Sequence, residues 1–203
     1  MPPHTTPIQT VRDQIAGHLR TDILAGTLPK GVALREQPLA ERFGVSRGPI
    51  RDVLLRLTQE GLLVSEPNCG VRVSPAPSEW MQPLIVSQRR EIEVFALRKS
   101  ILEIDDETIA ELTEMVESLG RACERGDLGA LAERDIAFHR RLLVCAGEED
   151  LIAIWLPLVT RMIMHYSRHH NMAQSYEEHL AILDAVRDRD VERAIARLAA
   201  NIQ

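Results

Sequence analysis

Asp135 and His139 stand four residues apart in a segment with helical periodicity, so their side chains leave one face of a single helix. His179 falls on a later helical segment. One carboxylate and two imidazoles make a nitrogen–oxygen donor set suited to Zn, Ni, Mn or Fe. Read without further context, Asp-x-x-x-His also suits an ordinary hydrogen bond between helix neighbours. A second constellation lies far upstream. Arg47 and Arg51, again four apart, open a helical segment on one side of it. Guanidinium groups placed that way can pair with phosphates or fork onto the O6 and N7 of guanine. An open three-ligand metal site would also serve a metal-dependent hydrolase fused to a DNA-binding domain, which is the alternative reading. The sequence contains no HExxH, no nucleophile elbow and no evident general base to go with it.

The elements that must position the two arginines are legible around them. LAERFGVSRGPIRDVLLRLTQEGLL reads as a short helix, a turn at Gly44 and a second helix over 47–60. Ser46 is expected to N-cap the second helix, and Pro49 fits its first turn. Val53, Leu54 and Leu57 supply one apolar face. Two helices joined by a glycine turn, the second opening with basic side chains, form the helix-turn-helix plan. Upstream, Val11, Ile15, Leu19, Ile23 and Leu24 make an apolar stripe over 10–25, closed by Gly26. TLPKGVAL is a loop able to pair briefly with a downstream strand, and residues 35–43 are the second helix. LLVSE and VRVS, with PNCG between them, predict a two-stranded hairpin, the wing of a winged helix. Residues 1–9 are rich in Pro and Thr and are expected to be disordered.

The residues LREQPLAERFGVSRGPIRDVLLRLTQEGLL followed by PNCGVRV resemble the DNA-binding domain of the GntR family of bacterial transcription regulators over residues 10–74. The resemblance implies that Ser46, Arg47 and Arg51 meet phosphate and bases. It also implies that Gly70 brings the wing backbone to the minor groove, and that Arg35, Gln37, Pro49 and Asn68 complete the DNA-facing set. Gln37 stands where an arginine is frequent, and Cys69 stands where the wing often carries a basic residue, so both departures remove positive charge.

Composition divides the chain. Of 203 residues, 45% are hydrophobic and 27% charged, the balance of a globular protein, and aromatics are only 3%. Net charge is −6, yet residues 1–77 carry 9 Lys and Arg against 7 Asp and Glu, while residues 78–203 carry 15 against 23. A mildly basic head thus precedes an acidic body. A head of +2 is a weak binder of DNA, so two heads on one duplex, in a homodimer, are expected. No apolar run approaches 18 residues, so no membrane partner is expected, and MPPHTTPIQT lacks the pattern of a secretion signal. Cys69, Cys123 and Cys145 are widely spaced and odd in number, which fits a reducing cytoplasm.

PAPSEW predicts a linker over 75–82. Beyond it the sequence reads as six helices without strands: 83–100; from an Asp105 cap to about 125; from an Asp127 cap to 145; 150 to about 169; a segment to 189 opened by a capping box of Ser175 with Glu178; and 190 to the end. His169 and His170 suit capping at a helix end, and Trp80 and Trp155 suit packing. The fold class is therefore mainly α: a winged helix-turn-helix domain plus an all-α six-helix bundle. RREIE, Asp135 with Phe138 and His139, EHLAILDAVRDRD and the Ala/Arg-rich last helix resemble the FCD ligand-sensing domain of FadR-type GntR regulators over 83–203, in its VanR-like branch. That resemblance implies a divalent metal, Zn foremost with Ni, Mn or Fe as alternatives, held by Asp135, His139 and His179. Asn201 takes the fourth position, where family members usually carry histidine. It also implies a small organic acid as effector, with Arg90, three before Glu93, and Arg161 as anchors, and with His165 and Tyr166 lining the same cavity. A metal-free acyl-ligand sensor is the third possibility. The function implied is a dimeric regulator, usually a repressor, on an inverted-repeat operator.

Overall fold

The computed structural model describes residues 10–66, 70–166 and 171–203, without the side chains of His165 and Tyr166. The expected disorder of residues 1–9, the Asn68 and Cys69 contacts, and the roles of His169 and His170 fall outside it. The chain divides after residue 75 into two compact units.

In the first unit, α1 (Val11–Leu24) opens with a reciprocal cap. Thr10 Oγ1 accepts the Asp13 N–H at 3.2 Å, and the Asp13 carboxylate accepts the Thr10 N–H at 3.1 Å. α2 (Glu36–Phe43) ends at Gly44, whose φ of +65° reverses the chain where a side chain would be strained. α3 (Arg47–Gln59) follows and buries Ile50, Val53, Leu54 and Leu57 against α1. Each such side chain contributes about 1.5–3 kcal/mol. The sheet orders β1 (Ala33–Leu34), β3 (Gly70–Val73) and β2 (Leu63–Glu66), all antiparallel, so the loop before α2 does pair with the wing. Arg20 on α1 grips the buried Glu60 carboxylate with bonds of 2.8–3.1 Å, a tie across the head that sequence reading did not anticipate. Ser46 holds the extended backbone of an N-cap, yet its hydroxyl makes no cap bond. Pro49 explains the difference: it occupies the third helical position and has no N–H to offer.

The second unit opens with a 3-10 turn (Glu79–Met81) that runs into α4 (Gln82–Ser100), so the linker narrows to a few residues, and Trp80 is exposed. α5 (Asp106–Glu124), α6 (Leu128–Cys145) and α9 (Val191–Asn201) are capped by Asp105, Asp127 and Asp190 as their side chains dictate. α7 (Glu149–Tyr166) carries Pro157 within it. α8 (Met172–Arg187) corrects an expectation. Its cap is Asn171, whose side-chain oxygen accepts the Gln174 N–H at 3.4 Å, and Ser175 lies buried inside the first turn. Asn171 stands three before Gln174, the same cap spacing one turn earlier, and it wins. Among the described residues, the six helices α4 to α9 enclose a core that includes Leu97, Ile101, Leu112, Val116, Phe138, Leu142, Ile182, Leu183, Val186 and Leu198.

Candidate functional site

In the second unit, α6 and α8 meet where their buried faces carry the donor set. Asp135 and His139 project from α6 and His179 from α8, and one donor atom of each lies within 4.8 Å of the others. The Asp135 Oδ1 is 3.3 Å from His179 Nε2 and 3.8 Å from His139 Nε2, and the two imidazole rings cross at 5.2 Å.

The outer nitrogens settle which ring atoms face the centre. His179 Nδ1 lies 2.7 Å from the Ser175 carbonyl, which can only accept, so Nδ1 carries a proton, and a neutral ring then turns the lone pair of Nε2 toward the centre. His139 Nδ1 lies 2.5 Å from Glu93 Oε2. Burial works to raise the Glu93 carboxyl, but the Arg89 guanidinium and His139 outweigh it and hold the group at about 2. An ionised Glu93 again assigns the proton to Nδ1. His139 Nε2, His179 Nε2 and Asp135 Oδ2 are buried without a hydrogen-bond partner among the described residues. Burial likewise opposes ionisation of Asp135, and the positive charge that the two histidines bear when protonated, together with Arg89, overcomes it, so its carboxyl lies well below the usual range.

With the rings neutral, lone pairs facing a carboxylate oxygen at 3.3 Å repel it unless positive charge lies between them, which a proton on Nε2 or a metal ion can each supply. Four ligands arranged tetrahedrally at 2.0–2.2 Å from Zn are about 3.3–3.6 Å apart; the 3.3 Å spacing lies in that range and the 3.8 Å spacing slightly beyond it. The Nδ1–H bonds to a carboxylate and to a carbonyl are the outer support that metal-bound histidines need.

Asn201 lines the same cavity and is nearly buried, but its amide nitrogen donates to Glu178 Oε2 at 2.9 Å. That leaves Oδ1 as the atom it can turn toward a cation.

The cavity beside this centre, about 70 Å³, holds roughly five waters' worth of space. Leu128, Leu131, Met162 and Ile163 form its apolar wall, with Arg89, Asp135, Ser175, Asn201 and Gln203 as polar lining. Its cation is Arg89, not Arg90. Arg89 is 2% exposed, donates Nε–H to Glu93 Oε1 at 2.6 Å, and sets Nη2 3.7 Å from Asp135 Oδ2, with Nη2 otherwise unpartnered among the described residues. Trp155 Nε1 donates to the same Glu93 oxygen at 2.6 Å. Arg90 turns away and donates to the Ile202 carbonyl at 2.6 Å. Arg161 is half-buried and absent from the lining, although its neighbours Met162 and Ile163 belong to it. The side chains of His165 and Tyr166 lie outside the described residues. The signal available for Arg89 is its i,i+4 spacing to Glu93, a helix-neighbour spacing that stands beside the i,i+3 of Arg90 without deciding between them.

The first unit brings the other constellation together. Arg47 and Arg51, both well exposed at the start of α3, converge on Glu36 at the start of α2. Arg47 donates Nε–H at 3.0 Å and Nη2–H at 2.8 Å to Oε2, while Arg51 donates at 3.0 Å to Oε1 and 3.2 Å to Oε2. Hydrogen bonds first from Arg51 and then from Arg47 hold the Glu36 carboxyl at about 2. Arg35, Glu36, Gln37, Arg47, Leu54, Gly70 and Val71 line a groove between β1, the two helix starts and the wing. Gly70, at φ +79°, opens the wing strand, and Gln37 spends its amide hydrogen on Glu41 at 2.8 Å. Ser46 is exposed beside Arg47, and Pro49 is half-buried. Arg72 in the wing, missed from sequence, bonds Glu66 and the Gly31 carbonyl.

Comparison with known proteins agrees with both halves. Residues 11–73 match the model for bacterial regulatory proteins of the gntR family, and residues 85–203 match the FCD domain. The HTH-type transcriptional regulator BphR of Paraburkholderia xenovorans is 30% identical across 97% of this chain and 85% of its own. The HTH-type transcriptional repressor RspR of Escherichia coli is 27% identical across 94% of this chain and 86% of its own. The solved structure of E. coli McbR/YncC superposes with a TM-score of 0.78 at 25% identity, covering 96% of this chain and 94% of that one. These relatives are regulators, not enzymes, and nothing among them supports the hydrolase alternative. With a gntR-type head and an FCD body along nearly its whole length, the chain belongs to the GntR family of bacterial transcriptional regulators.

Proposed function

We propose that the protein is a ligand-responsive repressor in which residues 10–74 bind an inverted-repeat operator as a homodimer and residues 83–203 take up a small organic acid. The observation that carries the effector half is a group of unpartnered buried atoms: Asp135 Oδ2 and Arg89 Nη2 on residues that line the cavity, and His139 Nε2 and His179 Nε2 on the rings that face Asp135. Buried polar atoms are almost always satisfied, so a set of four argues for a ligand. Asp135, His139 and His179 would hold a divalent metal, Zn foremost, with Asn201 Oδ1 or the ligand itself completing the shell. A bound metal would supply a Lewis-acidic anchor for a carboxylate. Arg89 presents Nη2 toward the same space, and the apolar wall of Leu128, Leu131, Met162 and Ile163 would accept a short hydrocarbon tail.

On the DNA side, Arg47 and Arg51 would read bases, Ser46, Arg35 and Gln37 would position the helix on phosphate, and Gly70 would let the wing approach the minor groove. Effector control requires that the acid bind more tightly to the head arrangement unfit for the operator. The test is operator binding by the full chain, followed by fluorescence anisotropy, with a panel of mono- and dicarboxylates and with metal content measured by elemental analysis. Release by at least one acid, lost in Arg89→Met, is the expected result. Insensitivity to every acid in both metal-loaded and chelated protein would refute the effector reading.

A further inference from the structure

Glu36 has no place in the DNA-facing set inferred above, yet it touches both arginines that dominate that set. We infer that Glu36 is a positioning residue that sets sequence specificity by clamping Arg47 and Arg51 in one orientation. The inference rests on the DNA-binding reading of the head.

The atoms used are the basis for it. Both arginines meet the carboxylate along the Nε–Nη2 edge of the guanidinium. A guanidinium carries five N–H groups. Engaging that edge leaves one hydrogen on Nη2 and both on Nη1, so the end-on fork of each arginine is unspent. That fork is the pair of donors that reaches guanine O6 and N7. Glu36 can therefore remain bound while Arg47 and Arg51 read DNA, and each arginine enters with its long side chain already ordered. The carboxylate stays ionised, being held at about 2, and it sits on a helix N-terminus, where negative charge is favoured.

A second consequence concerns charge. The head carries a net charge of only +2, and one carboxylate serves two of its exposed arginines. Glu36 thereby weakens attraction to phosphate at large, where no base contact compensates, more than it weakens the ordered contact at the right sequence. Both effects raise the ratio of specific to non-specific affinity.

The experiment uses the full chain, a duplex selected by the wild-type protein from a random pool, and a scrambled duplex of equal length, with anisotropy measured at several salt concentrations. Glu36→Gln keeps the shape and removes the charge. It is expected to lower affinity for the selected duplex, leave unchanged or raise affinity for the scrambled one, and cut the ratio between them roughly 5- to 100-fold, the worth of one good bidentate base contact. The salt dependence on the scrambled duplex should steepen. Glu36→Asp, shorter by one methylene, should fall between wild type and Glu36→Gln. An unchanged ratio in Glu36→Gln overturns the inference. Equal loss on both duplexes together with a lowered Tm also overturns it, since that is the signature of a merely structural role. If wild type selects no sequence from the pool, the DNA-binding reading itself fails, and the inference falls with it.

Discussion

Glu93 is the group on which the buried centre depends, and replacing it tests that claim quantitatively. Its carboxylate is 1% exposed and accepts from Arg89 Nε, His139 Nδ1 and Trp155 Nε1, all at 2.5–2.6 Å. Glu93→Gln removes the charge and leaves the Arg89 guanidinium buried with only Asp135, 3.7 Å away, as counter-ion. Breaking one side of a buried pair costs about 3–5 kcal/mol. The lowered carboxyl value expresses the same interaction as a dependence on pH. A carboxyl held at about 2 when folded, against an ordinary value of 4.5, contributes about 3 kcal/mol at neutral pH. The sign follows from the depression: that stability is present above the unfolded value and is lost as pH falls from 4.5 toward 2. The assay is urea unfolding of the full chain in chelator, followed by tryptophan fluorescence and by circular dichroism, at pH 7 and at steps down to pH 3. Glu93→Gln should lose about 3 kcal/mol at pH 7, and the gap to wild type should narrow on acidification. Arg89→Met added to Glu93→Gln should recover at least half of the loss, because it removes the stranded charge. A loss under about 1 kcal/mol, or a double variant less stable than Glu93→Gln alone, would refute the account of Glu93.

Other consequences are separable. Gly120→Ala would place a methyl 2.8 Å from Tyr176 Cε2, so the ring must shift, and stability should fall by about 1–3 kcal/mol in urea unfolding. Arg20→Ala strands the buried Glu60, which among the described residues keeps only the exposed side chain of Arg56 as ion partner, and should cost about 2–4 kcal/mol in the melting of the head. Arg47→Ala and Arg51→Ala should each weaken operator binding by about 1–3 kcal/mol in anisotropy titrations. Divalent metal should raise the Tm of wild type in differential scanning fluorimetry, and His139→Ala or His179→Ala should abolish that rise.

Local signals carried far in this chain, and the misses share a cause. The turn at Gly44, the wing hairpin and the aspartate caps of α5, α6 and α9 are decided by residues within a few positions of one another, and these were legible. Asp135 and His139 share a helix face, so two of the metal group were visible from spacing alone, while His179 joins them only because α6 and α8 both pack on α5. Ser46 and Ser175 were misjudged because a cap depends on its recipient: Pro49 withholds an N–H in one case, and Asn171 stands one turn earlier in the other. Arg89 and Arg90 are adjacent, and only the packing of α4 on α6, α7 and α9 decides which of them turns inward. The link from Glu36 to Arg47 and Arg51 spans 11 and 15 positions across a turn, and no periodicity announces it.

The central claim is that this chain recognises a DNA sequence. The measurement that tests it most directly is an anisotropy titration of the full chain against DNA from upstream of its own gene and a scrambled duplex, at rising salt. The account predicts sub-micromolar, sequence-dependent binding whose logarithm falls linearly with the logarithm of salt concentration. Equal affinity for the two duplexes at every salt concentration would contradict it.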